Sequence, residues 1–223
     1  MNYEELLSHI EKLVASRPFD DPLEIVAVTK YASLAEMKDL EKRGLTLFGE
    51  NKVQDFLEKK EVLSFANHKW NFIGHLQTNK VRKIVGKCDV IQSVDSERLA
   101  NKINKVAEEL NINQRILLQV NIASDPQKTG FDREAYKKMI SNTHLFPNLT
   151  LEGIMIVVPE EKDGVKLAGY FKEARCYFEA LKTTHKGIKT LSMGMSGDYE
   201  CAIKEGSTQV RLGSILLNTL GET

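Results

Sequence analysis

Short apolar runs rich in β-branched residues alternate along this chain with longer segments of helical periodicity, and few folds accommodate that alternation. The runs lie near Ile25–Val28, Leu45–Gly49, Trp70–Gly74, Val90–Ser93, Ile116–Asn121, Leu151–Val157, Thr190–Met193 and Gln209–Leu212. Between them, Ser33–Lys42 carries Leu34, Met37 and Leu40 at helical spacing. Asn51–Lys60 does the same with Val53, Phe56 and Leu57, and Gln77–Val85 with Val81, Ile84 and Val85. Asp95 reads as the N-cap of a helix carrying Leu99, Ile103 and Val106. Asp132–Ile140 and Val165–Leu181 complete the longer helices, and Tyr3–Val14 forms a helix before the first strand. Strands alternating with helices imply parallel βαβ units. Eight such units predict an α/β fold, a closed (β/α)8 barrel of the TIM type. An open doubly wound sheet is the alternative, but it usually has fewer strands. Pro18, Pro22, Pro126, Pro147 and Pro159 all suit loops or strand edges, and no repeat or Pro-rich linker divides the chain. A single domain over residues 1–223 is expected.

The sequence also excludes several roles. Acidic and basic residues balance at 31 each, so the basic excess expected of a nucleic-acid or membrane-surface protein is missing. No apolar run approaches the roughly 20 residues of a membrane span. The acidic start, Met1 to Leu7, lacks the basic and apolar regions of a signal peptide. Cys88, Cys176 and Cys201 form no CxxC pair, which suits a reducing, cytoplasmic setting. The five histidines show no metal-ligand spacing, and no structural metal is expected.

Lys30 ends the first apolar run, Glu24 to Lys30. There a lysine is expected to be partly buried, and burial disfavours its charged form. A neutral amine attacks aldehydes and forms Schiff bases. The plainer reading is a solvated charge at a strand end.

Barrel active sites sit at the C-terminal ends of the strands, and phosphate often binds after strands seven and eight. Both positions here hold a small Gly/Ser turn: Met193-Gly194-Met195-Ser196-Gly197-Asp198, before a predicted helix Tyr199–Lys204, and Arg211-Leu212-Gly213-Ser214, before Ile215–Leu220. Glycines let backbone N–H groups approach an anion. Alternation turns Arg211 and Gly213 to one side of the strand. An inward arginine needs a ligand or a buried partner, for which Glu50, Glu152 and Asp198 are the candidates. Asn51 stands at the end of the second strand, where it can face a ligand, cap the following helix, or do both. His75 and Lys128 lie on the same rim and read by default as a bystander and a solvated charge. Gly194-Met195-Ser196-Gly197 lacks the Gly-x-Ser-x-Gly spacing of a nucleophile elbow.

Five segments together carry a resemblance: Ala27-Val28-Thr29-Lys30, Phe48-Gly49-Glu50-Asn51, Phe72 to Lys80, Ser192 to Asp198 and Gly206 to Ser214. In this order they resemble the pyridoxal-phosphate homeostasis proteins, relatives of the alanine racemase N-terminal barrel. The resemblance implies that Lys30 holds pyridoxal 5′-phosphate (PLP) as a Schiff base. It implies that Ser196, Gly213 and Ser214 hold the phosphate, that Arg211 faces the pyridine nitrogen and that Asn51 lies near the ring or linkage. Lys128 matches a lysine in the family's strand-five loop and is a candidate for passing PLP in or out. Lys52 and the ending Leu217–Thr223, without a Gly-x-Arg terminus, depart from the family pattern.

The function preferred is non-catalytic: buffering PLP and supplying it to PLP-dependent apoenzymes in the cytoplasm that the cysteines suit, with a monomer as the default because no long exposed apolar stripe is evident. The alternative is a PLP-dependent amino-acid racemase. Racemases of this barrel type tolerate an arginine at the ring nitrogen, but draw a second acid/base tyrosine from a C-terminal β-domain that follows no eighth strand here. Tyr31, His75 and Lys128 are unconvincing replacements. A third reading, a barrel binding another phosphate ester, uses Lys30 as a purely electrostatic contact.

Overall fold

The computed structural model describes residues 1–63, 68–125 and 128–220. Pro126, with its expected loop position, and Gly221–Thr223, the end of the atypical C-terminus, lie outside the described residues. Eight parallel strands close into a barrel in chain order, with β8 paired to β1. They are β1 (Glu24–Val28), β2 (Leu47–Glu50), β3 (Lys69–Phe72), β4 (Val90–Val94), β5 (Gln114–Val120), β6 (Leu149–Ile156), β7 (Thr190–Met195) and β8 (Gln209–Leu212). The closed barrel, and not the open sheet, is the fold. Closure leaves no sheet edge to protect.

Helices α1 (Tyr3–Ser16), α2 (Leu34–Lys42), α3 (Val53–Val62), α4 (Glu97–Glu109), α5 (Arg133–Ser141), α6 (Gly164–Thr184), α7 (Tyr199–Lys204) and α8 (Ser214–Asn218) surround it. Their apolar faces pack on the strands to form the main core. On α3, for example, Phe56 meets Trp70 edge-on at 5.7 Å and Phe72 at 6.5 Å. That packing fixes the helix against β3 and sets the position of Lys59, one turn further along.

Three local expectations are corrected. Thr78–Lys83 is a 3₁₀ helix rather than part of an α-helix. Val81 and Ile84, three residues apart, stack on one side of such a helix and are both fully buried. The cap of α4 is Ser96, whose Oγ accepts from Leu99 N–H, while the Asp95 carboxylate is engaged by Ser96 and His75. The residue before α3 is Lys52 rather than Asn51. Asn51 therefore does not cap that helix.

The barrel lumen is polar. Gln92, Ser192, Gln209 and Arg211 are buried. Bonds between Ser192 on β7 and Gln92 on β4, and between Gln92 and Gln209 on β8, join strands that are not neighbours, so they cross the lumen. A small separate cluster, Val90, Leu117 and Met155, supplies the apolar remainder.

Candidate functional site

Lys30 lies two residues past β1, at the second position of a turn closed by Ala32 N–H donating to Thr29 C=O at 2.9 Å. Its ammonium sits 4.8 Å from the centre of the Tyr31 ring, and both residues are exposed. The expectation of a buried Lys30 is thus corrected. The ladder stops at Val28, Thr29 takes the last buried position, and the chain then turns outward. The amine is accessible at the C-terminal mouth of the barrel.

What is buried here is the support of that turn. Thr29 Oγ1 donates to Glu50 Oε1 at 2.6 Å, and Thr29 N–H donates to Gly49 C=O. Lys59 Nζ donates to Glu50 Oε1 at 2.7 Å and to Thr29 C=O at 2.5 Å. Glu50 is completely buried, and the Lys59 side chain is 15% exposed. The Thr29 and Lys59 bonds both fall on Glu50 Oε1, while Oε2 is buried without a partner, and Glu50 does not pair with Arg211. Sequence reasoning missed this triad. A carboxylate closing an apolar strand was the available signal, because burial demands a partner.

Asn51 follows Glu50 at the same mouth. Its Oδ1 is buried without a hydrogen-bond partner. A buried acceptor left unmade costs on the order of 1–3 kcal/mol, and this one is free to accept from a ligand donor. The loop is held closely: a Cβ on Gly74 would stand 1.9 Å from Asn51 C=O, so the position admits only glycine without backbone movement.

Across the closure, Ser196 Oγ accepts from Gly213 N–H at 3.2 Å and from Ile215 N–H at 3.4 Å. These N–H groups come from the β8–α8 turn and converge on one oxygen, the arrangement that an anionic oxygen requires. Gly197 has open space where a Cβ would lie, and Ser214 is exposed beside the turn. The turn before α7 is shaped by Gly194 at φ 95° and by Asp198, whose Oδ1 accepts from Met195 N–H. Burial raises the Asp198 carboxyl, opposed by that N–H and by the charge of Arg211.

Arg211 projects into the lumen from β8. Its Nη1 donates to Ser192 Oγ and its Nη2 to Ile156 C=O, each at 2.8 Å. None of the expected partners pairs with it directly: Glu152 meets Arg115 and Lys189, and Asp198 acts only at a distance. Burial lowers its pKa to about 10, partly offset by Asp198, so it remains a cation at neutral pH. The guanidinium has five N–H groups, and those not used internally remain for a ligand.

The residues expected to bind a ligand thus come from β7, β8, β1 and β2, four consecutive strands, at one end of the barrel. His75 lies off this group, exposed and 3.1 Å from Asp95. Lys128 is exposed on the β5–α5 loop, its N–H bonded to Asp125 C=O. An accessible amine, an unpartnered buried acceptor, a buried cation with no direct carboxylate partner and a converging N–H turn fit an aldehyde-bearing phosphate ester.

Comparison with known proteins identifies the family and the fold. The alanine racemase N-terminal domain family matches residues 7–219. A pyridoxal phosphate homeostasis protein of Aquifex aeolicus is 40% identical over 174 residues, 78% of this chain and 76% of that protein. One from Synechocystis is 36% identical over 207 residues, 92% of this chain and 94% of that protein. Among solved structures, PipY of Synechococcus elongatus with PLP bound superposes with a TM-score of 0.82 at 29% identity, covering 94% of this chain and 98% of its own.

Proposed function

This chain belongs to the pyridoxal phosphate homeostasis protein family, within the alanine racemase N-terminal-domain superfamily of barrels, and on that premise we propose that it binds PLP and takes part in its homeostasis without catalysing a reaction. The observation that carries the reading is the placement of an accessible Lys30 amine at the same barrel mouth as the Ser196–Gly213 turn. When bound, PLP supplies an aldehyde that an amine captures reversibly and a phosphate that anchors it.

Each residue has a separable task. Lys30 provides the amine, and the Thr29–Glu50–Lys59 triad holds its turn. Ser196, Gly213 and Ser214 take the phosphate, with the N–H groups now on Ser196 Oγ turned to the anion. Asn51 accepts from a ligand donor near the linkage. Arg211 meets the pyridine nitrogen. A cation there disfavours a proton on that nitrogen and so weakens carbanion stabilisation, which supports retention over turnover. Accessibility of Lys30 suits reversible loading and release to apoenzymes. An exposed Lys128 on the neighbouring loop suits a transfer role. We read the protein as one domain and as a monomer. Its free thiols, Cys88, Cys176 and Cys201, suit the cytoplasm. No described helix is long and apolar enough to cross a membrane.

The test is the visible spectrum of the purified protein with PLP, before and after borohydride. A yellow band that bleaches, with the reduced adduct mapped to Lys30, is expected. Absence of any band on adding PLP overturns the assignment. Loss of optical rotation from a single-enantiomer amino acid, well beyond that caused by free PLP, would replace the carrier reading with the racemase.

A further inference from the structure

A continuous hydrogen-bond chain runs down the lumen from Arg211 to the opposite end of the barrel. Arg211 Nη1 donates to Ser192 Oγ at 2.8 Å, and Ser192 Oγ donates to Gln92 Oε1 at 2.7 Å. Gln92 Nε2 donates to Gln209 Oε1 at 2.6 Å, and Gln209 Nε2 donates to Glu24 Oε2 at 3.0 Å. Every donor points the same way. The chain starts on a cation, passes three neutral dipoles and ends on a carboxylate. Glu24 stands at the N-terminal rim, beside a cavity of about 90 Å³.

The alignment has a physical purpose. A buried arginine ordinarily takes a carboxylate partner, and a direct pair would occupy the fork that a ligand needs. Aligned dipoles polarise one another and carry part of that stabilisation from a distance. Gln92 is the pivot: it is fully buried, lies across the lumen on β4 and is the link that orients the Ser192 hydroxyl.

We propose that Gln92 is a positioning residue for the binding site, setting the Arg211 guanidinium through Ser192 while leaving that guanidinium without a carboxylate. This rests on the reading of Arg211 as the residue that faces the PLP ring.

The experiment starts with 15N-labelled apoprotein and the side-chain N–H signals of Arg211. In the unsubstituted protein these signals are expected to be resolved and slow to exchange. In Gln92→Met they are expected to exchange at least about tenfold faster, because the Ser192 hydroxyl loses its acceptor. Gln92→Glu, which keeps that acceptor, is expected to retain slow exchange. Addition of PLP is then expected to show about a tenfold higher Kd for Gln92→Met, with a displaced visible maximum. Unchanged Arg211 signals in Gln92→Met overturn the proposal, as does an unchanged Kd with a freed Arg211. Should Gln92→Met fail to fold, Ser192→Ala breaks the same chain and is read in the same way. If Arg211→Ala leaves PLP affinity unchanged, the assignment of Arg211 to the ring has failed, and the positioning role falls with it. The apoprotein signals separate that failure from failure of the chain itself.

Discussion

Thr29 Oγ1 donates to Glu50 Oε1 at 2.6 Å, tying the end of β1 to the end of β2 directly beneath the Lys30 turn. Lys59 closes the arrangement from α3. The most accessible amine of the candidate site therefore rests on one of the most buried ion pairs in the protein. Lys59→Met leaves the Glu50 carboxylate buried without its cation and is expected to lower stability by about 3 kcal/mol. The double substitution with Glu50→Gln is expected to recover most of that loss. Urea unfolding of the single and double variants measures both, and additive losses contradict a coupled pair.

Lys30→Ala is expected to abolish the borohydride-stable adduct while changing stability by no more than about 0.5 kcal/mol, as for an ordinary exposed site. Mass mapping after reduction, alongside a thermal melt, checks this. Loss of fold would show that the lysine stem is structural.

Ser196→Ala removes the acceptor shared by Gly213 and Ile215 and, on the proposed function, a donor to the phosphate. Hydrogen bonds to charged groups contribute about 1.5–3 kcal/mol, so PLP affinity is expected to fall about tenfold or more. Equilibrium dialysis gives the number. Affinity within twofold of the unsubstituted protein would place the phosphate elsewhere.

Gly74→Ala puts a methyl group into the Asn51 carbonyl and cannot be absorbed by a side-chain rotation. A cost of about 2 kcal/mol is expected, together with weaker PLP retention as Asn51 moves. Stability and retention that both stay unchanged would mean the β2 and β3 ends separate freely.

Stability is expected to fall at alkaline pH. Burial pushes the Cys88 thiol up to about 12 from its ordinary value near 9, and Tyr136 is raised by the same cause. The folded state then holds a proton that the unfolded chain gives up. Stability from this source is complete below pH 9 and is lost as pH rises toward about 12. Urea midpoints at pH 8 and pH 10.5 should drop less steeply for Cys88→Ala than for the unsubstituted protein. Equal slopes would remove the thiol from the alkaline response.

The strands were legible because parallel strands buried on both faces read as apolar runs, and Gln209–Leu212 matches β8 end to end. Boundaries elsewhere shifted by a residue or two, as at β5, where Gln114 and Arg115 pair in the ladder although their side chains are polar. Periodicity could not separate a 3₁₀ from an α turn at Thr78–Lys83, since Val81 and Ile84 suit both spacings. Lys30 was found by its place at a strand end, but its exposure depends on where the ladder stops, which composition does not encode. The lumen chain was invisible for a different reason. Gln92, Ser192 and Gln209 are unremarkable singly, and they meet only across a closed barrel.

The strands that furnish the candidate site straddle the seam where β8 joins β1, with Val26 opposite Arg211 and Ala27 opposite Leu212. That seam unites the start and finish of the strand order, the most distant pairing in the chain. Closing a loop of that length costs chain entropy that pairings nearer in sequence do not. Ser196 precedes β8, but the Gly213 and Ile215 N–H groups that converge on it follow β8. The turn proposed to take the phosphate is therefore complete only once β8 has closed onto β1.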